Sequence, residues 1–225
     1  MTALVGVVVF PGSNCELDVV EAVEALGGQA KLLWHADTSL GGADAVVLPG
    51  GFAHGDYLRP GAIARFAPVM AAVRRHAAAA GPVVGICNGF QVLTEAGLLP
   101  GALQRNAGLK FVCRPVRLRV DATGTALTGD VAVGTELTIP VNHFAGNYTC
   151  APDTLAELRG EDRVVLRYVD NPNGSTDDIA AVCSAGRNVV GLMPHPERAS
   201  HPLLGSTDGV PLLRSLLAAA GALTG

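Results

Sequence analysis

The sequence predicts a doubly wound α/β fold in which a mainly parallel sheet carries an antiparallel annex. Its first half alternates strand-like runs with helical patterns, and those runs are near-continuously apolar. Its middle third has strand-like runs with little helical pattern. Continuous apolar strands separated by helices are typical of a parallel sheet buried on both faces. We expect one domain over residues 1–225, because α/β domains of this length are common and no linker or repeat interrupts the chain.

The elements of the first half follow from local patterns. A Val-rich run predicts the first strand, and Ser13 or Asn14 can cap the helix that follows, which Gly27 and Gly28 end. Short apolar runs predict three further strands, and an Ala-rich stretch predicts a long helix before the last of them. The predicted strands lie at residues 3–10, 31–34, 44–51 and 82–87, and the long helix at residues 60–80.

The middle third predicts the annex, because its strand-like runs are separated by turn signals rather than by helices. These runs lie at residues 109–120, 136–143, 163–168 and 179–184. A further buried strand then ends in a polar turn within residues 188–197, and a helical pattern at residues 209–223 closes the chain.

Composition narrows the classes of function. Only 16% of the residues are charged and the net charge is -4, so the chain lacks the basic footprint of a nucleic-acid-binding protein. Its apolar stretches are far shorter than the roughly 20 residues of a membrane span, and its N-terminus lacks the basic start and the cleavage site of a signal peptide, so we expect a cytoplasmic protein. Five scattered cysteines without a C-x-x-C pair predict free thiols, with neither a disulfide framework nor a metal site.

Three strand ends carry chemistry-bearing residues, and ligands of open α/β sheets bind at the carboxyl ends of strands. The three motifs are "PGGF" at residues 49–52, "GICNG" at residues 85–89 and "MPHPE" at residues 193–197. Cys87 lies at a strand-to-helix corner, where the unpaired N–H groups of the helix favour a thiolate. Gly85 and Gly89 permit a sharp turn there. The pattern predicts that Cys87 is a nucleophile.

The other strand ends supply its partners. His195 can act as the base, and Glu197, two residues on, can hold the imidazole in the required tautomer. The backbone N–H groups of Gly51 and Asn88 can stabilise the oxyanion that forms when the thiolate attacks a carbonyl. Together the motifs predict a cysteine hydrolase that works through a covalent thioester.

The remaining cysteines have weaker claims to catalysis. Cys15 begins a helix and is the only credible rival of Cys87, although no base lies near it in sequence. Cys113 and Cys183 alternate within apolar strand patterns and are expected in the core, and Cys150 lies in no polar constellation.

The three motifs together resemble the triad-type, class I glutamine amidotransferases. Longer stretches resemble one family among them, the glutaminase subunits of phosphoribosylformylglycinamidine synthase. These stretches are "FPGSNCE" (10–16), "PGGFAHGDYLRPGAIA" (49–64), "CNGFQVLTEAGLLPGAL" (87–103), "NPNGSTDDIA" (171–180), "MPHPERA" (193–199) and "GSTDG" (205–209). The resemblance implies a flavodoxin-like fold. It also implies that Cys87 attacks the carboxamide of glutamine and that Gln91 contacts the main-chain groups of the substrate.

The resemblance further implies partners. Such glutaminases deliver ammonia to a large synthetase subunit, with a small third subunit bridging the two, so that formylglycinamide ribonucleotide becomes the amidine in purine synthesis. ATP and Mg would be used by the synthetase, and this chain would need no cofactor. It contains neither a phosphate-binding P-loop motif nor a dinucleotide fingerprint.

Two other readings and one departure bear on this assignment. A stress-type hydrolase or peptidase of the same superfamily would have histidine directly after the nucleophile, where this chain has Asn88. A non-catalytic binding or regulatory module would be expected to lack part of the Cys-His-Glu set.

The sequence departs from the resembled family after His143, where Phe144 and Ala145 replace a small and an acidic residue, so that His143 loses a charged neighbour.

Overall fold

A nine-stranded sheet forms the centre of the computed structural model, which describes residues 2–221. Strands β1 to β11 lie at Leu4–Val9, Gln29–Trp34, Ala45–Leu48, Val83–Ile86, Ala102–Gln104, Val112–Val120, Glu136–His143, Asn147–Thr149, Val164–Tyr168, Ile179–Cys183 and Val189–Leu192. Helices α1 to α5 lie at Glu16–Ala25, Val69–Ala78, Asn88–Glu95, Pro152–Gly160 and Val210–Gly221.

The parallel half of the sheet has the order β2-β1-β3-β4-β11, and every neighbouring pair in it is parallel. Its inner strands β3, β4 and β11 are buried along their whole length. This burial explains why their sequences are apolar at every position rather than at alternate ones. The prediction of a flavodoxin-like, doubly wound sheet is confirmed.

The antiparallel annex continues the same sheet, with the order β11-β10-β9-β6-β7. Strand β11 joins the two halves, because it pairs parallel with β4 and antiparallel with β10. A separate two-stranded sheet pairs β5 with β8. The annex therefore extends the sheet beyond β11 instead of forming a separate layer.

Two helices differ from the sequence-based expectation. The long helix predicted at residues 60–80 is broken, because Pro68 disfavours helical backbone at Ala67, which is extended with φ -60° and ψ 142°. A short 3-10 turn precedes the break and α2 follows it. Helix α4 was not predicted, since Leu158 is its only buried residue and its apolar pattern is correspondingly weak. The final helix reaches Gly221, and residues 222–223 of its predicted span lie outside the described residues.

The structure tests the predicted state and burial of the cysteines. All five cysteines carry free thiols. Cys183 is buried as expected, but the core assignment of Cys113 was wrong, because it shares the exposed face of β6 with Arg117 and Arg119. Within residues 2–221, no helix has both the length and the apolar character needed to cross a membrane.

Candidate active site

The three motif-bearing strands are neighbours in the sheet and run in the same direction. Strand β4 lies between β3 and β11, so their carboxyl ends meet at one edge. Cys87 follows β4, Gly51 lies just beyond β3, and His195 lies just beyond β11. The sheet topology therefore brings together residues that are up to 144 positions apart in sequence (51 to 195).

Cys87 occupies a strained corner between β4 and α3. Its backbone has φ 50° and ψ -103°, a conformation that a side-chain-bearing residue adopts only when its surroundings enforce it. Close packing enforces it here, since a Cβ atom on Gly89 would lie 1.9 Å from the carbonyl oxygen of Leu48. The Cys87 N–H donates to the carbonyl of Leu192 at 2.7 Å, which fixes the corner against β11. This geometry presents the thiol at the sheet edge.

His195 and Glu197 form a buried pair beside this thiol. Nδ1 of His195 lies 2.6 Å from Oε1 of Glu197, and both side chains are almost inaccessible to solvent. Burial lowers the pKa of His195, but the Glu197 carboxylate and then the Cys87 sulfur raise it, and the net pKa lies well above its usual value. Nε2 has no hydrogen-bond partner among residues 2–221, so this nitrogen is free for proton transfer.

Gly51 is held by the loop that follows β1. The Phe52 N–H donates to the carbonyl of Gly12 at 2.8 Å, and Gly50 accepts bonds from the amides of Asn14 and Cys15. None of these bonds uses the Gly51 N–H, which has no acceptor within the described part of the chain. Gly51 has φ +148°, and a Cβ atom there would lie 2.7 Å from Cα of Ser13. The Gly51 N–H, the candidate donor to the oxyanion, is therefore held in a defined position and makes no hydrogen bond to an acceptor within residues 2–221.

Asn88 and Gln91 form a polar network at the start of α3. The Asn88 side chain accepts from the Ala53 N–H and donates to Gln91 Oε1 at 2.8 Å. Gln91 in turn donates to the carbonyl of Ala145 at 2.6 Å. The side-chain amide of Gln91 is therefore engaged within the protein. Its contact with substrate main-chain groups stays a prediction, which would require these bonds to be shared or exchanged.

A cleft of about 650 Å³ opens over these residues. The cleft is lined by predicted site residues and by charged side chains, and its lining includes Gly51, Asp56, Cys87, Gln91, Arg105, Asn142 and His143. The sulfur of Cys87 lies 3.7 Å from the carbonyl oxygen of Asn142, at the end of β7. The annex therefore forms one wall of the cleft and the parallel half forms the other.

Comparison with known proteins identifies the family. A model of the CobB/CobQ-like glutamine amidotransferase domain matches residues 2–208. The chain belongs to this glutamine amidotransferase family. Phosphoribosylformylglycinamidine synthase subunit PurQ of Rubrobacter xylanophilus is 65% identical to it over 96% of this chain and 98% of the relative. The subunit of the same name from Cereibacter sphaeroides is 58% identical over 94% and 96%. A chain of the solved PurLQS structure from Thermotoga maritima matches with a TM-score of 0.90 at 41% identity, over 97% of this chain and 99% of that chain.

His143 of the amidotransferase is a buried, neutral histidine. Asn106 uses its NH₂ group for the carbonyls of Lys110 and His143, and its Oδ1 accepts from the Gly146 N–H and faces Nδ1 of His143 at 3.1 Å. Nδ1 must therefore donate, which leaves Nε2 as an acceptor. Burial, then the charge of His195, lowers the pKa of His143 to about 4. Asn106 thus replaces the missing charged neighbour of His143, which the local sequence did not reveal.

Cys15 of the amidotransferase lies behind the His-Glu pair rather than in the cleft. Its sulfur accepts from the Arg198 guanidinium at 3.1 Å, and its thiol donates to Asn14 Oδ1 at 3.0 Å. Cys15, His195 and Glu197 place potential metal-ligand atoms within 4.8 Å of one another, yet the adjacent guanidinium opposes a cation there. Cys15 is close to the predicted base in space, which its position in sequence did not indicate.

Sequence reasoning did not single out two parts of the site in the amidotransferase. The first is the loop after β1, whose backbone bonds to residues 50–54 hold the oxyanion loop in place. The second is Asp56, which lines the cleft and lies 3.4 Å from Nδ2 of Asn88. The motifs "FPGSNCE" and "HGDYLRPGA" contain these residues, but motif letters do not indicate which loop packs on which.

Proposed function

We propose that this chain is the glutaminase subunit of phosphoribosylformylglycinamidine synthase. The observation that carries the proposal is the convergence of Cys87, the His195–Glu197 pair and the free Gly51 N–H at one sheet edge. The near full-length similarity to PurQ subunits supports the choice of this synthase among amidotransferases. The chain would supply ammonia from glutamine to a synthetase that converts formylglycinamide ribonucleotide to formylglycinamidine ribonucleotide.

The chemistry follows from these positions. The Cys87 thiolate attacks the carboxamide carbon of glutamine, and the N–H groups of Gly51 and Asn88 stabilise the tetrahedral oxyanion. Protonated His195 donates its proton to the amide nitrogen, the C–N bond breaks and ammonia leaves. Neutral His195 then takes a proton from water, whose oxygen attacks the glutamyl thioester. The C–S bond breaks, which releases glutamate and restores the Cys87 thiolate beside protonated His195. Glu197 orients the imidazole and stabilises its charged form.

The synthetase is a separate partner. The T. maritima structure of PurLQS contains a chain similar to this one, and we assign to this chain the same type of partners, a large synthetase subunit and a small bridging subunit. Exposed apolar side chains at the mouth of the cleft support docking there, namely Phe52, Leu58, Leu109 and Phe144. ATP and Mg would act on the synthetase, and this chain would use no cofactor. A cytoplasmic location belongs to the same proposal.

The non-catalytic alternative is disfavoured by the strain at Cys87. A binding module has no need to hold a cysteine at φ 50° with its thiol over a cleft that also contains a free oxyanion donor. The stress-type hydrolase is disfavoured because Asn88, which replaces the histidine expected there, bonds to Ala53 and Gln91.

Reconstitution with the large and small subunits tests the proposal. The complex should convert formylglycinamide ribonucleotide with glutamine or with ammonia as nitrogen donor, and the Cys87→Ala complex should work with ammonia alone. Cys113→Ala, which removes an exposed thiol outside the cleft, should retain both activities. Glutamine-dependent turnover by the Cys87→Ala complex would refute the assignment.

A further inference from the structure

The cleft contains one carboxylate and one guanidinium that lack a counter-ion. Asp56 and Arg105 both line it, and within residues 2–221 neither takes part in an ion pair. The second guanidinium of the cleft, Arg59, is different because Glu95 binds it through two hydrogen bonds of 2.6 and 2.7 Å. The cleft therefore offers one unpaired charge of each sign.

The Asp56 carboxylate lies in surroundings that favour a cation. Burial raises its pKa to about 6, and the only opposing contribution is the hydrogen bond from Asn88. That bond is long, at 3.4 Å between Nδ2 and Oδ1. A partly buried carboxylate without a cation is poorly stabilised, and such residues concentrate at binding sites.

The backbone around Asp56 holds this carboxylate in place. His54, Gly55, Asp56 and Leu58 all have positive φ, between 53° and 67°. The segment is anchored to the loop after β1, because the His54 N–H donates to the carbonyl of Pro11 at 2.6 Å. Left-handed backbone at side-chain-bearing residues costs free energy, and such strain concentrates at active sites and ligand-binding segments.

The position of Asp56 also suits one part of the substrate. Asp56 lines the same cleft as Cys87, and its carboxylate lies 3.4 Å from the side chain of Asn88, the residue that follows the predicted nucleophile. In glutamine, the α-nitrogen is separated from the carboxamide carbon by four bonds, roughly 5 Å in an extended chain. Arg105 lines the same cleft, and its guanidinium carbon lies 5.9 Å from the centre of the Phe144 ring.

We propose that Asp56 binds the α-ammonium group of glutamine and that Arg105 binds its α-carboxylate. This inference rests on the proposed glutaminase function and adds a specificity device to it. The two charges select a free, zwitterionic amino acid and reject simple amides and internal glutamine residues of peptides, whose α-groups are uncharged. Asp56 and Arg105 thereby position the carboxamide over Cys87 without taking part in its chemistry.

Substrate analogues test each charge separately. 4-Carbamoylbutanoate is glutamine without the α-amino group, and 4-aminobutanamide is glutamine without the α-carboxylate. Asp56→Asn in the reconstituted complex should lower kcat/KM for glutamine about tenfold to a hundredfold, mainly through KM. It should leave kcat/KM for 4-carbamoylbutanoate within about twofold of wild type. Asp153→Asn, an exposed acid on α4, is the matched control and should change neither value.

The second variant has the mirrored expectation. Arg105→Gln should lower kcat/KM for glutamine by a similar factor and leave that for 4-aminobutanamide unchanged, with Arg74→Gln as the exposed control. Equal losses on glutamine and on the matching analogue, or no loss on either, would overturn the assignment of that residue. Binding of glutamine to the Cys87→Ala complex, measured by calorimetry, should weaken by the same factors. Failure of wild type to hydrolyse glutamine would instead refute the proposed function.

Discussion

The carboxylate of Glu197 lies 2.6 Å from Nδ1 of His195, and both side chains are almost completely buried. A buried contact of this kind orients the imidazole and raises its pKa, because the carboxylate offsets the cost of burying the positive charge. Glu197 therefore both orients the predicted base His195 and favours its protonated form.

Removing the charge of Glu197 should lower activity while keeping the geometry. Glu197→Gln is expected to reduce glutaminase kcat about a hundredfold or more, and His195→Ala should reduce it further, because it removes the imidazole that acts as both acid and base in the proposed mechanism. Glutamate formation by the complex measures both effects. Ammonia-dependent turnover is the control and should be retained. Wild-type glutaminase activity in His195→Ala would contradict the mechanism.

The same pair should make stability depend on pH. The pKa of His195 is raised in the folded state, so its proton contributes stability in full below about pH 6.5, and this contribution is lost as the pH rises through the folded pKa. Glu197→Gln removes the largest cause that raises this pKa. We expect the free energy of unfolding of wild type to exceed that of the variant most at pH 6, and by less at pH 9. Urea unfolding at both pH values measures it, and parallel pH curves would exclude the coupling.

The two cysteines near His195 should be distinguishable chemically. An electrophilic glutamine analogue should label Cys87, which lines the cleft, and should leave Cys15 unmodified, because Cys15 is buried against Arg198 and Asn14. Peptide mass spectrometry locates the label. Cys15→Ala should still be labelled and should retain more than a tenth of the activity. A label on Cys15, or loss of labelling in Cys15→Ala, would reverse the assignment of the nucleophile.

Gly50 provides a steric test of the position of His195. A Cβ atom on Gly50 would lie 2.7 Å from Cε1 of His195 and 3.0 Å from the sulfur of Cys15. Gly50→Ala should displace the imidazole and lower kcat by at least a hundredfold. Gly160→Ala places its methyl group where no atom lies within 4 Å, so it serves as the control and should be fully active. Full activity of Gly50→Ala would show that catalysis does not depend on the position of the His195 imidazole.

Partner docking at the mouth of the cleft should raise the glutaminase rate. We expect the synthetase to stimulate it at least tenfold, or about 1.4 kcal/mol, by adjusting the oxyanion loop near Gly51. Tyr57 is 74% exposed and adjoins this loop, so Tyr57→Ala should reduce the stimulated rate and spare the basal one. Leu203→Ala, at a 90% exposed residue outside the cleft, is the control. Equal losses in both rates would indicate a folding defect instead.

The sequence predicted those features that depend on neighbouring residues. Apolar runs located the strands of the parallel sheet, and the rule that ligands bind at strand ends directed attention to Cys87, His195 and Gly51. Helix interruption at Pro68 and the weakly amphipathic α4 were missed, because the first depends on one proline within a favourable composition and the second buries only Leu158.

Side-chain contacts between the loops beyond the strand ends could not be predicted. His143 and Asn106 are 37 residues apart, and their bond fixes the tautomer of a buried histidine. Cys15 and Arg198 are 183 residues apart. Nothing in the local pattern of either residue indicates its partner, because such pairs are set by the packing of loops beyond the strand ends.

The His195 N–H donates to the carbonyl of Pro140 on β7 at 2.9 Å, whereas the backbone of Cys87, the predicted nucleophile, is bonded to β11 in the parallel half of the sheet. The predicted catalytic residues consequently depend on both the parallel half of the sheet and the antiparallel annex, so the two halves cannot be separated in a truncated variant without affecting the site. A minimal enzyme cut down to the parallel half would keep its thiol but lose the anchor of its base. An annex taken from a relative would have to place a backbone carbonyl where Pro140 lies on β7, so that it could accept the His195 N–H.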